Sequence, residues 1–184
     1  MTRTSFALFT AVTLSALLAG PPRAASEEPS KEAKIARAVS AAPPSVGKEA
    51  TVMDFDGTVL RKGTNGWHCM PGIMPGDDHP MCNDAVWTKL MAAVGSKGEF
   101  KTDRIGISYM LQGDSNVNNA DPFDTKQDPG EMWVQEGPHM MIVTPDTKML
   151  EGLPDDPNQG GPYVMWKGTP YAHIMVPTAP RTGK

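Results

Sequence analysis

The chain has 184 residues, 39% of them hydrophobic and 21% charged, with 18 Gly, 18 Pro and a formal net charge of −4. That length suits one globular domain, and the composition excludes a coiled coil, a collagen-like rod and a wholly disordered chain. No stripe of Lys and Arg offers the electrostatic footprint that a nucleic-acid partner needs.

Residues 1–25 open with Arg3, run through an apolar stretch from Phe6 to Ala19 and close on Gly20-Pro21-Pro22-Arg23-Ala24-Ala25. A basic start, an apolar middle and a small-residue exit make the layout of a secretory signal peptide. The apolar stretch is shorter than the roughly 20 residues that cross a bilayer as a helix, so cleavage near Ala25 is expected rather than anchoring. No later segment approaches that length, and the mature chain is expected to have no transmembrane span and to be periplasmic or secreted. Cys69 and Cys82 are the two cysteines, and in an oxidising compartment they are expected to join. Closing a loop of that size stabilises a chain by roughly 3 kcal/mol.

After a flexible lead-in over 26–30, Lys31 to Ala41 is good helix material, stopped by Pro43-Pro44. Thr51–Phe55 and Thr58–Arg61 flank Asp56-Gly57, which predicts a β-hairpin on a type I′ turn. The segment from Cys69 to Cys82 reads as an irregular Gly/Pro-rich loop. Asn83 is the expected N-cap of a helix from Asp84 to about Val94, whose Val86, Trp87, Leu90 and Met91 share one face. A strand is expected over Arg104–Leu111, then a polar loop from Gly113 to Gly130 and short strands at Met132–Gln135 and Met140–Thr144. Pro145-Asp146 opens a helical turn at Thr147–Leu150, and Tyr163–Trp166 with Tyr171–Val176 form a second hairpin. Clustered strands with one principal packed helix and long Gly/Pro-rich loops predict a single α+β domain over 31–177, with a mainly antiparallel sheet and a flexible tail at 178–184. Its expected core takes Val86, Trp87, Leu90 and Met91 from the helix and Ile105, Ile107, Ile142, Val164, Trp166 and Ile174 from strands.

Val52-Met53-Asp54-Phe55-Asp56-Gly57-Thr58-Val59 resembles the first motif of the haloacid dehalogenase-like phosphohydrolases. The resemblance implies Asp54 as nucleophile, Asp56 as general acid and a Mg²⁺ ion. Thr144, Lys148 and the Asp155-Asp156 pair would complete the set, but they follow one another too closely for the crossovers of a parallel sheet, which need about a dozen residues each.

All four histidines carry a methionine two residues later: His68 with Met70, His79 with Met81, His139 with Met141, and His173 with Met175. On a strand, residues i and i+2 share a face, so His139/Met141 and His173/Met175 each present an imidazole beside a thioether; the other two pairs fall at the Cys69–Cys82 loop, where parity says nothing about faces. That combination suits Cu(I), with His also serving Cu(II), and is a poor one for zinc; similar His-x-Met pairs occur in periplasmic copper carriers. The competing reading is that methionine fills the core beside a hydrogen-bonded histidine. Asp114, Asn116 and Asn118, with Asp121 and Asp124 nearby, alternate as in a calcium loop, but Asn119 and Thr125 stand where such a loop needs Gly and Glu. No nucleophile elbow supports a serine hydrolase. Trp67, Trp133, Trp166, Tyr163 and Tyr171 are of the type that lines a carbohydrate groove, or simply a core.

The blocks Gly63-Thr64-Asn65-Gly66-Trp67-His68-Cys69, Glu136-Gly137-Pro138-His139-Met140 and Pro162 to His173 resemble segments of a family of exported bacterial proteins with no established activity. The resemblance implies export and a single domain and carries over no catalytic residues. The function expected from the sequence is that of an exported binding or accessory protein rather than an enzyme. Copper is the leading ligand, and a protein or small-ligand partner is left open.

Overall fold

The computed structural model describes residues 28–181 together with Met1, so the expected signal peptide lies almost wholly outside the described residues. The Ser30 hydroxyl accepts the Ala33 N–H at 3.2 Å and starts α1 (Lys31–Val39). Pro44 opens the short α2 (Pro44–Gly47), where a missing N–H costs nothing. β1 (Thr51–Met53) and β2 (Val59–Arg61) pair antiparallel, as the hairpin reading expects. Their connection is not a type I′ turn, which needs two central residues at positive φ. Only Gly57 has one, at +87°, while the Asp56 carboxylate accepts the Thr58 N–H at 2.8 Å.

The segment read as an irregular loop begins and ends in strands, β3 (His68–Met70) and β4 (Met81–Asn83). They pair antiparallel with Cys69 directly opposite Cys82, and the two cysteines are disulfide-bonded and fully buried. Three-residue strands are too short to show a period. α3 (Ala85–Ser96) follows, capped by Asp84 rather than Asn83. One Asp84 oxygen accepts the Trp87 N–H at 2.7 Å and the other the Ile107 N–H at 2.8 Å, whereas Asn83 is drawn into β4, where the Ser108 hydroxyl donates to it at 2.6 Å.

The remaining strands are β5 (Gly106–Met110), β6 (Asn116–Asn118), β7 (Trp133–Gln135), β8 (His139–Val143), β9 (Tyr163–Met165) and β10 (His173–Pro177), with a 3₁₀ turn at Thr147–Leu150 before β9. β6 lies inside the stretch read as a polar loop and pairs with β7. The other eight strands form one sheet in the order β2-β1-β3-β4-β5-β8-β10-β9, parallel only between β1 and β3. The result is one mixed α+β fold with a mostly antiparallel sheet. Among the described residues no helix is long and apolar enough to cross a membrane.

The sheet has two unequal faces. One packs under α3 and the β6–β7 ribbon and buries Met81, Met110, Met141, Val143, Tyr163, Met165 and Met175 against Val86, Trp87, Leu90 and Val134. Gly106 lets α3 approach, because a Cβ there would meet the Val86 and Val143 methyls at 2.7 and 2.8 Å. On the opposite face, Val52, Cys69 and Cys82 pack against the alanines of the α1–α2 region, and a smaller cluster gathers Leu150, Val164 and Ala172. The expected core holds for Val86, Trp87, Leu90 and Val164. It fails for Ile105, which is 52% exposed, while Met91, Ile107, Ile142, Trp166 and Ile174 are half-buried. On β5, β8 and β10 the isoleucines take the thinly covered face, so burial follows the position of α3 rather than residue hydrophobicity.

Within the segment read as a flexible tail, residues 178–181 are described and make contacts with the domain. The Thr178 N–H donates to Pro138 O at 2.8 Å, and Arg181 grips Glu136 with two nitrogens at 3.1 and 3.0 Å. Residues 182–184 lie outside the described residues.

Candidate functional site

The α3-covered face carries two of the His-x-Met pairs, His139/Met141 and His173/Met175, together with Met81. On β8 and β10 the register sets Met141 directly opposite Met175, both buried. Because the strands are antiparallel, His139 and His173 fall at opposite ends of this methionine pair, on the same face. A four-residue offset separates them by ~13 Å along the strands, so the two histidines lie at the two ends of the methionine pair and not at one point. The four side chains form two sets that share the methionines. Each histidine has its own i+2 methionine and, diagonally across the pair, the other one within reach of a long side chain.

The same crossing recurs on β3 and β4. Met70 is directly opposite Met81, with His68 two residues before Met70 and His79 two before Met81. His79 precedes the strand, and its Nδ1 lies 2.9 Å from Asp77 Oδ1. Asp77, Asp78 and His79 bring their donor atoms within 4.8 Å of one another, but Asp77 is engaged in holding the loop, accepting the Ile73 and His79 N–H groups. This end is the more exposed one.

Both inner histidines are buried, His139 completely and His173 to within 1%. Their Nδ1 atoms lie 2.7 Å from Gly137 O and 2.9 Å from Tyr171 O. A carbonyl only accepts, so in each ring Nδ1 carries the proton and Nε2 presents a bare lone pair. Among the described residues neither Nε2 finds a hydrogen-bond partner, nor does the indole N–H of Trp87. Leaving such a group buried and unpaired costs about 1–3 kcal/mol. Burial pushes the His173 imidazole down to about 4 and lowers His139 as well, against weaker opposing pulls from the carbonyl bonds. Both rings are therefore neutral near pH 7, the state in which imidazole ligates a metal. A backbone carbonyl on the far nitrogen is also the usual support of a metal-bound histidine.

Comparison with known family models, curated proteins and solved structures gives no match for this chain. The site therefore stands on its own geometry.

The phosphohydrolase-like residues do not assemble. Asp54 accepts Lys34 Nζ at 2.7 Å and the Phe55 N–H at 3.0 Å; it lines a cavity of about 280 Å³ with Arg37, Phe55, Met74 and Asp77. Thr144 follows β8, which is separated from β1 by three intervening strands in the sheet, four spacings or roughly 19 Å. Lys148 belongs to the 3₁₀ turn, and Asp155 pairs with Lys167 at 3.0 Å. The calcium-like loop is likewise committed to itself: Asn118 Oδ1 accepts the Ala120 and Asp121 N–H groups, and its amide donates to Asp124. The aromatic residues disperse. Trp67 packs on Tyr109, Tyr171 on Phe123 and Trp166 on His173, while the Tyr163 hydroxyl donates to Glu136.

The sequence does not assign four residues of the histidine–methionine face to it: Trp87 and Trp166 read as core, Trp166 also as a groove aromatic, and Met110 and Met165 only as strand residues. Met165 stands directly opposite His173 across β9 and β10, and Met110 directly opposite His139 across β5 and β8. Trp87 and Trp166 set their rings edge-on to His173, with centroids 5.1 and 5.0 Å away. Residues 163–165 and 173–175 were recognisable as paired strands, but only the register of that hairpin reveals Met165.

Proposed function

We propose that this chain is an exported binding protein that takes up Cu(I) on the histidine–methionine face of its sheet. The observation that carries the reading is the crossing on β8 and β10, where two thioethers stand opposite each other between two imidazoles whose Nε2 lone pairs have no partner. Imidazole with thioether is a soft donor set matched to Cu(I). The Cys69–Cys82 disulfide suits an oxidising compartment, which supports the export expected from the N-terminal segment.

The rival reading treats the same methionines as core filler, and an isosteric substitution separates the two. Leu replaces Met in a core at less than about 1.5 kcal/mol and leaves no thioether. The test is a Cu(I) competition titration of wild type and of Met141→Leu/Met175→Leu, alongside His139→Ala/His173→Ala and metal analysis of the purified protein. Stoichiometric Cu(I) in wild type, weakened in the leucine variant by more than the roughly 10–100-fold that loss of an outer-sphere partner costs, is the expected result. Unchanged binding in the folded leucine variant contradicts the β8–β10 site, and absence of Cu(I) binding contradicts the function.

A further inference from the structure

The two histidine ends are not equivalent. His139 faces Met110 on one side and Pro177 on the other, with the Glu136 carboxylate in its electrostatic neighbourhood. His173 has Met165 directly across the strand pair and Met175 two residues on, both at most 2% exposed. Its imidazole is walled by the indoles of Trp87 and Trp166, each edge-on at about 5 Å. Among the described residues, the one titratable side chain that acts on its charge is His139, itself neutral near pH 7.

Trp166 is held in place at a cost. Its backbone sits at φ +56°, a conformation that bulky residues seldom adopt and that costs about 1–3 kcal/mol. Two hydrogen bonds from the Asn118–Asn119 segment enforce it: Trp166 N–H donates to Asn119 O at 2.8 Å and the indole N–H to Asn118 O at 3.0 Å. Trp87 is fully buried and Trp166 half-buried, so Trp166 forms the outer wall of the compartment.

Resting on the Cu(I) reading above, we infer that the His173 end is the primary metal position, with His173 Nε2 and the thioethers of Met165 and Met175 as ligands, Trp87 and Trp166 as its walls, and selectivity for a monovalent soft cation. The selectivity follows from charge. The set is wholly neutral and the compartment dry, and the cost of burying an ion grows with the square of its charge, so a divalent ion without a carboxylate partner pays about four times as much as a monovalent one. Cu(I) and its air-stable analogue Ag(I) meet these terms; Zn²⁺ and Cu²⁺ do not.

The test compares two core substitutions that preserve packing, Met165→Leu beside His173 and Met110→Leu beside His139, in the full chain with its disulfide intact. Each is titrated with Ag(I), followed by tryptophan emission and by equilibrium dialysis, after urea unfolding has checked that both are folded. The inference expects one Ag(I) per chain with a change in tryptophan emission, an affinity about tenfold or more weaker in Met165→Leu, wild-type affinity in Met110→Leu, and no emission change with Zn²⁺ or Cu²⁺ at the same concentrations. Weakening in Met110→Leu with Met165→Leu unaffected moves the ion to the His139 end and overturns this inference while the Cu(I) reading stands. A Zn²⁺ affinity equal to that for Ag(I) overturns the selectivity, and no Ag(I) binding by wild type overturns both.

Discussion

His173 is a neutral imidazole because water cannot reach it, and that has a thermodynamic signature. In the unfolded chain it takes a proton near pH 6.5, in the folded chain only near pH 4. Acidification through that window loads protons onto the unfolded state, so stability present above pH 6.5 is lost as pH falls. Asp114 works in the opposite direction: burial, outweighing its bond from the Ser115 N–H, pushes its carboxyl up to about 6, so acid stabilises the fold through this group. Removing that opposition exposes the histidine effect. In Asp114→Asn, urea unfolding is expected to show a loss of roughly 1.5 kcal/mol between pH 6.5 and 5, with His139 adding in the same direction. Adding His173→Leu is expected to flatten most of that slope. An Asp114→Asn protein equally stable at both pH values contradicts a dry, unprotonated His173.

At the scale of elements, two contacts fix the compartment. α3 lies on the sheet because Gly106 has no side chain, and Gly106→Ala is expected to cost about 1–3 kcal/mol through overpacking against Val86 and Val143; a thermal unfolding midpoint equal to wild type contradicts that docking. The C-terminal segment is held by Arg181 on Glu136, whose carboxylate is 2% exposed. Burial alone would raise the Glu136 carboxyl, but Arg181, the Gly137 N–H and the Tyr163 hydroxyl together bring it below its usual value. Arg181→Met strands that charge and is expected to cost about 3 kcal/mol, with Glu136→Gln in the same chain recovering part of it in urea unfolding. Long or well-capped elements were legible before the structure: α3 from its 3.6-residue stripe, β5 and β8 from their apolar runs, and the β9–β10 hairpin from the turn residues between its strands. β3, β4 and β6 were not, since each is three residues long and sits in a Gly/Pro-rich or polar stretch with neither an apolar run nor a tight-turn dipeptide to mark it. Ile107, Ile142 and Ile174 were assigned to the core on hydrophobicity, and no local signal told that α3 would cover the other parity.

For the molecule as a whole, the histidine–methionine pattern was legible because a strand's period of two puts His-x-Met on one face, while its meaning depended on register. One residue of slip between β8 and β10 would have turned the two methionines to opposite faces. The observed register instead sets Met141 against Met175, and β3 with β4 repeats the crossing through Met70 and Met81. The cysteines are bonded to each other and no free cysteine remains, so thioethers are the sulfur ligands the intact chain offers. The most direct test of copper binding on this face is X-ray absorption of the Cu(I)-loaded protein with its disulfide intact. The account predicts a mixed shell of imidazole nitrogen and sulfur, with the sulfur contribution reduced in Met141→Leu/Met175→Leu; a shell of nitrogen and oxygen alone, the same in both proteins, would contradict it.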